Sequence, residues 1–263
     1  LHSGEVGNQN FLKPAFWKPI IDMVGGNVVE CNTAYEGQRN TTAKHMSTLE
    51  AHGWKKYFRV DLMDAEGPDL ELSIPEGKVI QKNFVGKNMK NYDSILVLSH
   101  FKGHPMGGYG GALKQLAIGC ASARGKALIH SAGVTNDRFE CWDKHASNVL
   151  FPEAMADAAE SVCMHFKDRI AFVNVMKNLS VDCDCDAHPH DPEMGDIGIF
   201  ASVDPVALDQ ACVDAVYASE DDGKAALIER IESRNGIHTV EAAHSLGLGS
   251  RRYELRCIDS HKN

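Results

Sequence analysis

The stretch Ser94-Ile95-Leu96-Val97-Leu98-Ser99-His100-Phe101-Lys102-Gly103-His104-Pro105-Met106-Gly107-Gly108-Tyr109-Gly110-Gly111 decides the reading of the fold. Ile95 to Leu98 are apolar without alternation, which suits a strand buried on both faces, and such strands belong to parallel sheets. A glycine-laden loop follows, and Ala112 to Cys120 then predicts a short helix. Working outward, Ile170 to Met176 repeats the buried-strand pattern. Asn27 to Cys31 and Asp196 to Phe200 read as shorter strands, and a last one is expected near Tyr253 to Ile258.

Helical periodicity marks Pro14 to Val24, Thr41 to His52 with Gly53 beyond its end, Phe151 to Phe166, Lys224 to Ser233 and Thr239 to Leu246. Another helix should begin with Asp204 as N-cap and Pro205 as its first residue. Residues 55–85 hold β-like pieces broken by Gly67-Pro68 and Pro75-Glu76-Gly77, whose order the pattern does not give. Strands alternating with helices predict an α/β fold with a mainly parallel sheet flanked by helices. Residues 1–263 then form one large domain, or two closely packed lobes meeting near 140–150.

Composition narrows the function. The chain has 263 residues, 43% of them hydrophobic and 24% charged, which is globular and argues against disorder. Its net charge of −9 disfavours binding that neutralises many phosphates, so nucleic acid is not an expected partner. The longest strongly apolar run falls far short of the roughly 18–20 residues that cross a bilayer, so no membrane partner is expected either. Eight cysteines in a chain of this length are too sparse for a disulfide scaffold and fit reduced thiols in the cytoplasm.

In open α/β sheets ligands bind beyond the carboxyl ends of the strands, which makes the loop after Ser99 the first place to look. His100, Lys102, His104 and Lys114 converge there around Gly107, Gly108, Gly110 and Gly111. The glycines let backbone approach a ligand, and a helix start favours an anion. A small anionic ligand is therefore the expected partner. His104 and Lys102 are the candidates for proton transfer, since imidazole titrates near neutrality and a desolvated lysine can be tuned toward it. The familiar alternatives fail: there is no G-x-G-x-x-G, no nucleophile elbow and no H-E-x-x-H, and Gly125-Lys126 has Cys120 where a P-loop needs glycine.

The second constellation follows the strand Ile170 to Met176. Asp182-Cys183-Asp184-Cys185-Asp186-Ala187-His188-Pro189-His190-Asp191 packs two thiols, two imidazoles and four carboxylates into ten residues. Cys183, Cys185, His188 and His190 form the expected metal set, with iron, nickel and zinc all compatible. The neighbouring acids should raise both thiol pKa values. Loops after parallel strands leave a sheet on one edge, so both constellations should face one cleft. The loops Gly4 to Asn8 and Asn32 to Asn40 are expected to close it.

At these motifs the sequence resembles the bacterial and archaeal family known as domain of unknown function 362, often labelled uncharacterised iron-sulfur center proteins. The matching stretches are Leu1 to Asn8, Ser99 to His104, Gly110 to Lys114, Asp182 to Cys185, Asp196 to Gly198, Asp204-Pro205 and Gly247 to Arg251. The resemblance implies an iron-sulfur cluster and a redox partner where relatives carry an inserted ferredoxin module. Here the segment after Gly125 to His130 runs through Glu140 to Cys141-Trp142 without C-x-x-C-x-x-C, so that module is absent. A weaker likeness, over Lys102-Gly103-His104 and Gly111 to Gly119, extends to nickel-dependent lactate racemase. The combined expectation is a metal- or cofactor-dependent enzyme, an isomerase or oxidoreductase, acting on an anionic small molecule. An iron-sulfur electron-transfer protein or a non-enzymatic binder is the alternative, and a homo-oligomer is compatible with either.

Overall fold

The computed structural model describes residues 1–259. The chain runs α1 (Pro14–Val24), β1 (Val28–Glu30), α2 (Thr42–Ala51), α3 (Trp54–Tyr57), β2 (Val60–Leu62), β3 (Leu70–Ser73) and β4 (Lys82–Val85). It continues with β5 (Ile95–His100), β6 (Lys102–His104), β7 (Gly108–Gly110), α4 (Ala112–Lys114), α5 (Ala123–His130) and α6 (Leu150–Phe166). β8 (Ile170–Met176), β9 (Gly198–Ser202), α7 (Pro205–Ala218), α8 (Lys224–Ser233) and α9 (His238–Ser245) complete it. This is a mixed arrangement of helices and strands.

The two apolar runs pair as expected: β5 and β8 are parallel, with Leu96 opposite Ala171 and Leu98 opposite Val173. Alternate residues serve different cores. Leu98 and Val173 pack with Trp17, Ile21, Leu49 and Trp54 from α1 to α3, whereas Val97 and Phe172 belong to the larger core on the side of α4 and α7. A strand buried on both faces needs apolar residues at every position, which is why the sequence lacks alternation.

The sheet as a whole differs from the expected one. β9 runs antiparallel to β8, β3 and β4 form a separate antiparallel pair, and β1 and β2 form a separate parallel pair. Among the described residues β1 and β5 each keep one edge without a partner strand, and an apolar cavity of about 490 Å³ lies between them, lined by Val28, Val29, Ile95 and Leu96. The expected strand at Tyr253–Ile258 is instead exposed chain without regular structure, because its side chains have no core to face. No helix among the described residues is long and apolar enough to cross a membrane.

Local chemistry sets the helix ends that matter for the site. Asp204 caps α7 by accepting from Val206 and Ala207 N–H at 2.8 and 2.9 Å, with Pro205 in the first turn. Ser122 caps α5 at Gly125 N–H. After α4, residues Gln115–Gly119 widen into a π-type turn. That turn presents Gln115, Ile118 and Gly119 to the cavity described next.

Candidate metal centre and ligand cavity

The loop after β5 is largely a hairpin. Its arms β6 and β7 pair with Lys102 opposite Gly110 and His104 opposite Gly108. Gly103 lies so close to the second motif that a Cβ there would stand 2.1 Å from the Val181 carbonyl oxygen, and its N–H donates to Ser180 O at 2.8 Å. Glycine is required because two backbones touch. This contact joins the hairpin to the cysteine loop.

One face of the junction gathers His104, Cys183 and Cys185, with one ligand atom from each inside a 4.8 Å span. The two motifs therefore meet. Three such ligands could hold a metal ion. His188 and His190 stand apart from the group: both are exposed, and His190 pairs with Asp182 at 2.8 Å. Pro189 and the Asp182 contact turn that end of the loop outward.

Hydrogen bonding fixes the imidazole. The N–H groups of Gly107 and Met106 donate to His104 Nδ1 at 3.0 and 3.3 Å, so the neutral ring carries its hydrogen on Nε2. Burial, reinforced by Lys114, holds His104 well below the usual histidine range, which keeps it neutral. The thiols depart from expectation. The hydrogen bond from Cys185 draws the Cys183 thiol down, with Lys114 and Lys102 adding to it, and the same contact pushes Cys185 up. Asp184 does push Cys183 upward, but the hydrogen bond between the two sulfurs outweighs it and splits the pair.

Asp184 accepts from Lys102 Nζ at 2.9 Å and faces His100 Nδ1 at 2.9 Å. Burial alone would raise this carboxyl, but His100 and Lys102 more than reverse that and hold it well below the usual range. Lys102 is raised: burial opposes its charge, yet Asp184 and the Cys183 thiol outweigh the burial. The expected lowering of Lys102 is thus reversed, since an adjacent carboxylate stabilises the ammonium. His100 spends its other nitrogen on Lys177 O at 2.6 Å. Lys102 and His100 are accordingly occupied in joining the two motifs.

The glycine loop also differs from expectation in detail. The first two N–H groups of α4, on Ala112 and Leu113, donate to the chain's own Asp209 at 2.7 and 3.1 Å. An internal carboxylate thus fills the helix start. Gly107 N–H is taken by His104, and a Cβ on Gly111 would stand 2.4 Å from Asp209 Oδ1. Gly108 adopts φ +77° beside Gly236, where a side chain would collide with backbone at 2.8 Å. These glycines, Gly110 included, shape the hairpin.

A cavity of about 190 Å³ opens beside the cysteines. Its lining includes His104, Cys183 and Cys185, together with Cys31, Tyr35, Arg39, Lys114, Lys126, His130 and Trp142. Of the two loops expected to close it, Asn32 to Asn40 lines the cavity through Thr33, Ala34, Tyr35 and Arg39, whereas Gly4 to Asn8 does not line it and braces the cysteine loop from outside. Glu5 N–H donates to Asp184 O at 2.8 Å, and Asn8 Nδ2 donates to the carbonyls of Cys183 and Asp186. From the other loop, Arg39 bonds Glu5, Glu30 and the Tyr35 hydroxyl and meets His2.

The cations around the cavity are not equivalent. Arg39 is consumed by those partners, and Lys126 Nζ donates to the carbonyls of Ala121 and Cys31 at 2.6 and 3.4 Å. Lys114 has no hydrogen-bond or ion-pair partner among the described residues. Its charge nonetheless lies near enough to lower His104, His130 and Cys183. Arg39 and His130 carry no motif spacing and escape a reading of the sequence; only the turn-rich loop around Arg39 hints at a role.

Comparison with known proteins gives one positive result: the family model Domain of unknown function (DUF362) matches residues 1–214. No curated protein and no solved structure matches the chain.

Proposed function

The chain belongs to the DUF362 family, and from its site we propose that it is a metal-dependent enzyme acting on a small anionic molecule. One observation carries this reading: His104, Cys183 and Cys185 converge within 4.8 Å on the wall of a cavity that also holds the unpartnered Lys114. Two sulfurs and one nitrogen suit a borderline or soft transition ion, with a further coordination position left for a ligand. When bound, such an ion supplies Lewis-acid polarisation of a ligand oxygen.

The chain's own residues supply the rest. Lys114 offers the charge that attracts an anion, and His104 presents an Nε2–H that metal uptake would displace. Lys102, Asp184 and His100 hold the two motifs in place. The eight free thiols support a reducing compartment such as the cytoplasm. Only two thiols share the group, whereas a cubane iron-sulfur cluster draws on four cysteine ligands, so the ligand set favours a single ion.

Elemental analysis of anaerobically purified protein tests the reading. The wild-type chain should carry close to one transition ion, and Cys183→Ser combined with Cys185→Ser should remove most of it. Equal metal in the two proteins would overturn the proposal.

A further inference from the structure

Two imidazoles line the cavity, and their hydrogen bonding is opposite in sense. His104 Nδ1 receives backbone N–H groups, which puts its hydrogen on Nε2. His130 Nδ1 lies 2.7 Å from the carbonyl of Lys126, and a carbonyl can only accept. The neutral His130 ring therefore carries its hydrogen on Nδ1 and bears a free lone pair on Nε2. Among the described residues nothing donates to that nitrogen, although the side chain is only 8% exposed.

Aromatic neighbours flank the ring. It is packed against Trp142 and Phe151, with centroids 5.2 and 5.0 Å distant, at the last residue of α5. Its Nε2 is open to the cavity that His130 lines, so the lone pair is available to a donor that enters there. Across the same cavity Lys114 is a cation without a protein partner. Paired, the two features describe a ligand with an anionic end and a hydrogen-bond donor.

We propose that the cavity binds a small organic carboxylate bearing a hydroxyl or amino donor, with the carboxylate on Lys114 and the donor on Nε2 of His130. This rests on the reading of the cavity as a ligand site, and it adds the ligand's class and a specificity-determining residue. Acceptor and cation act at different atoms of the ligand, so their contributions separate by substitution. A carboxylate lacking the donor would cover the lone pair of His130 with carbon, which is how a polar site rejects an apolar analogue.

Calorimetric titration of the full chain with two matched pairs, glycolate against acetate and 3-hydroxypropionate against propionate, tests this. At least one hydroxylated member should bind about tenfold tighter than its partner. His130→Phe should erase that difference, and His130→Gln, whose amide oxygen can accept, should restore part of it. Lys114→Met should weaken all four. If His130→Phe fails to fold, the ¹⁵N shift of His130 Nε2 in the wild type replaces it, and it should move with glycolate and not with acetate.

Equal affinities within both pairs, no binding of any of the four, or a preference that survives His130→Phe would each overturn the proposal. Metal content measured on the same sample separates the two readings. Metal present without discrimination sinks only this inference, and discrimination in metal-free protein sinks only the metal.

Discussion

Lys102 and Asp184 meet at 2.9 Å with both side chains almost wholly shielded from solvent, the one in β6 and the other between the two cysteines. The pair is the electrostatic joint between motifs far apart in sequence. Breaking a buried pair by removing one partner typically costs about 3–5 kcal/mol, less here for a stranded Asp184, which keeps His100 at 2.9 Å. We therefore expect Lys102→Met and Asp184→Asn each to lower the urea midpoint strongly. The double variant should lose markedly less than the sum of the two, since neither charge is then stranded. Strict additivity would show that the pair does not act as a unit.

Much of this was legible in the sequence because β5 and β8 are buried on both faces, and an unbroken apolar run is a strong signal. Once they are parallel, the meeting of His104 with Cys183 and Cys185 follows from the shared sheet edge. The hairpin β6–β7 was not legible, since Lys102-Gly103-His104 lacks strand-forming residues and pairs only because Gly103 rests on Val181. Asp209 was missed because it reads as one acid on an amphipathic helix, and its role depends on four donors from other elements. His188 and His190 looked like ligands by proximity in sequence, but a polar turn on the surface answers them with Asp182 and Asp186.

The glycines of the first motif are separable by what surrounds them. A Cβ on Gly103 meets backbone at 2.1 Å, and one on Gly111 meets the Asp209 carboxylate at 2.4 Å. On Gly110 it meets nothing nearer than Lys114 Cδ at 3.5 Å, an ordinary contact. Gly103→Ala and Gly111→Ala should lose about 2–3 kcal/mol or more, as overpacked sites do, while Gly110→Ala stays within about 1 kcal/mol. Urea unfolding of the three variants checks the order, and a uniform response would contradict it.

Asp209 gives the fold a definite pH response. Burial pushes its carboxyl up to about 6, against the hydrogen bonds from Asn174, Leu113, Ala112 and Tyr109. A raised acid is protonated in the folded chain while the same group is already ionised in the unfolded one. Its contribution is full below the ordinary carboxylate range and is lost as pH rises to about 6, at up to about 1.4 kcal/mol per unit. Other carboxylates titrate in or below this window, so the difference between wild type and Asp209→Asn isolates the effect. That difference should shrink from pH 4 to 6 and then level off; a flat difference would show that the four donors keep Asp209 ionised throughout.

The last expectation concerns which histidines hold metal. His104 is buried and shares the 4.8 Å group with both thiols, whereas His188 and His190 lie on the surface, with His190 turned to Asp182. A surface imidazole would have to swing inward, His190 giving up its bond to Asp182, to reach a group that already has three buried or half-buried ligands. His104→Ala should accordingly cut bound metal several-fold, in line with the loss of one ligand of three. His188→Ala and His190→Ala should leave it unchanged, and because both side chains are exposed they should also leave the unfolding midpoint unchanged within about 0.5 kcal/mol. The three variants, purified without oxygen and measured for metal per chain, decide between a buried three-ligand centre and one built along the Cys183 to His190 loop. Loss of metal in either surface variant comparable to that in His104→Ala would assign the ion to the loop.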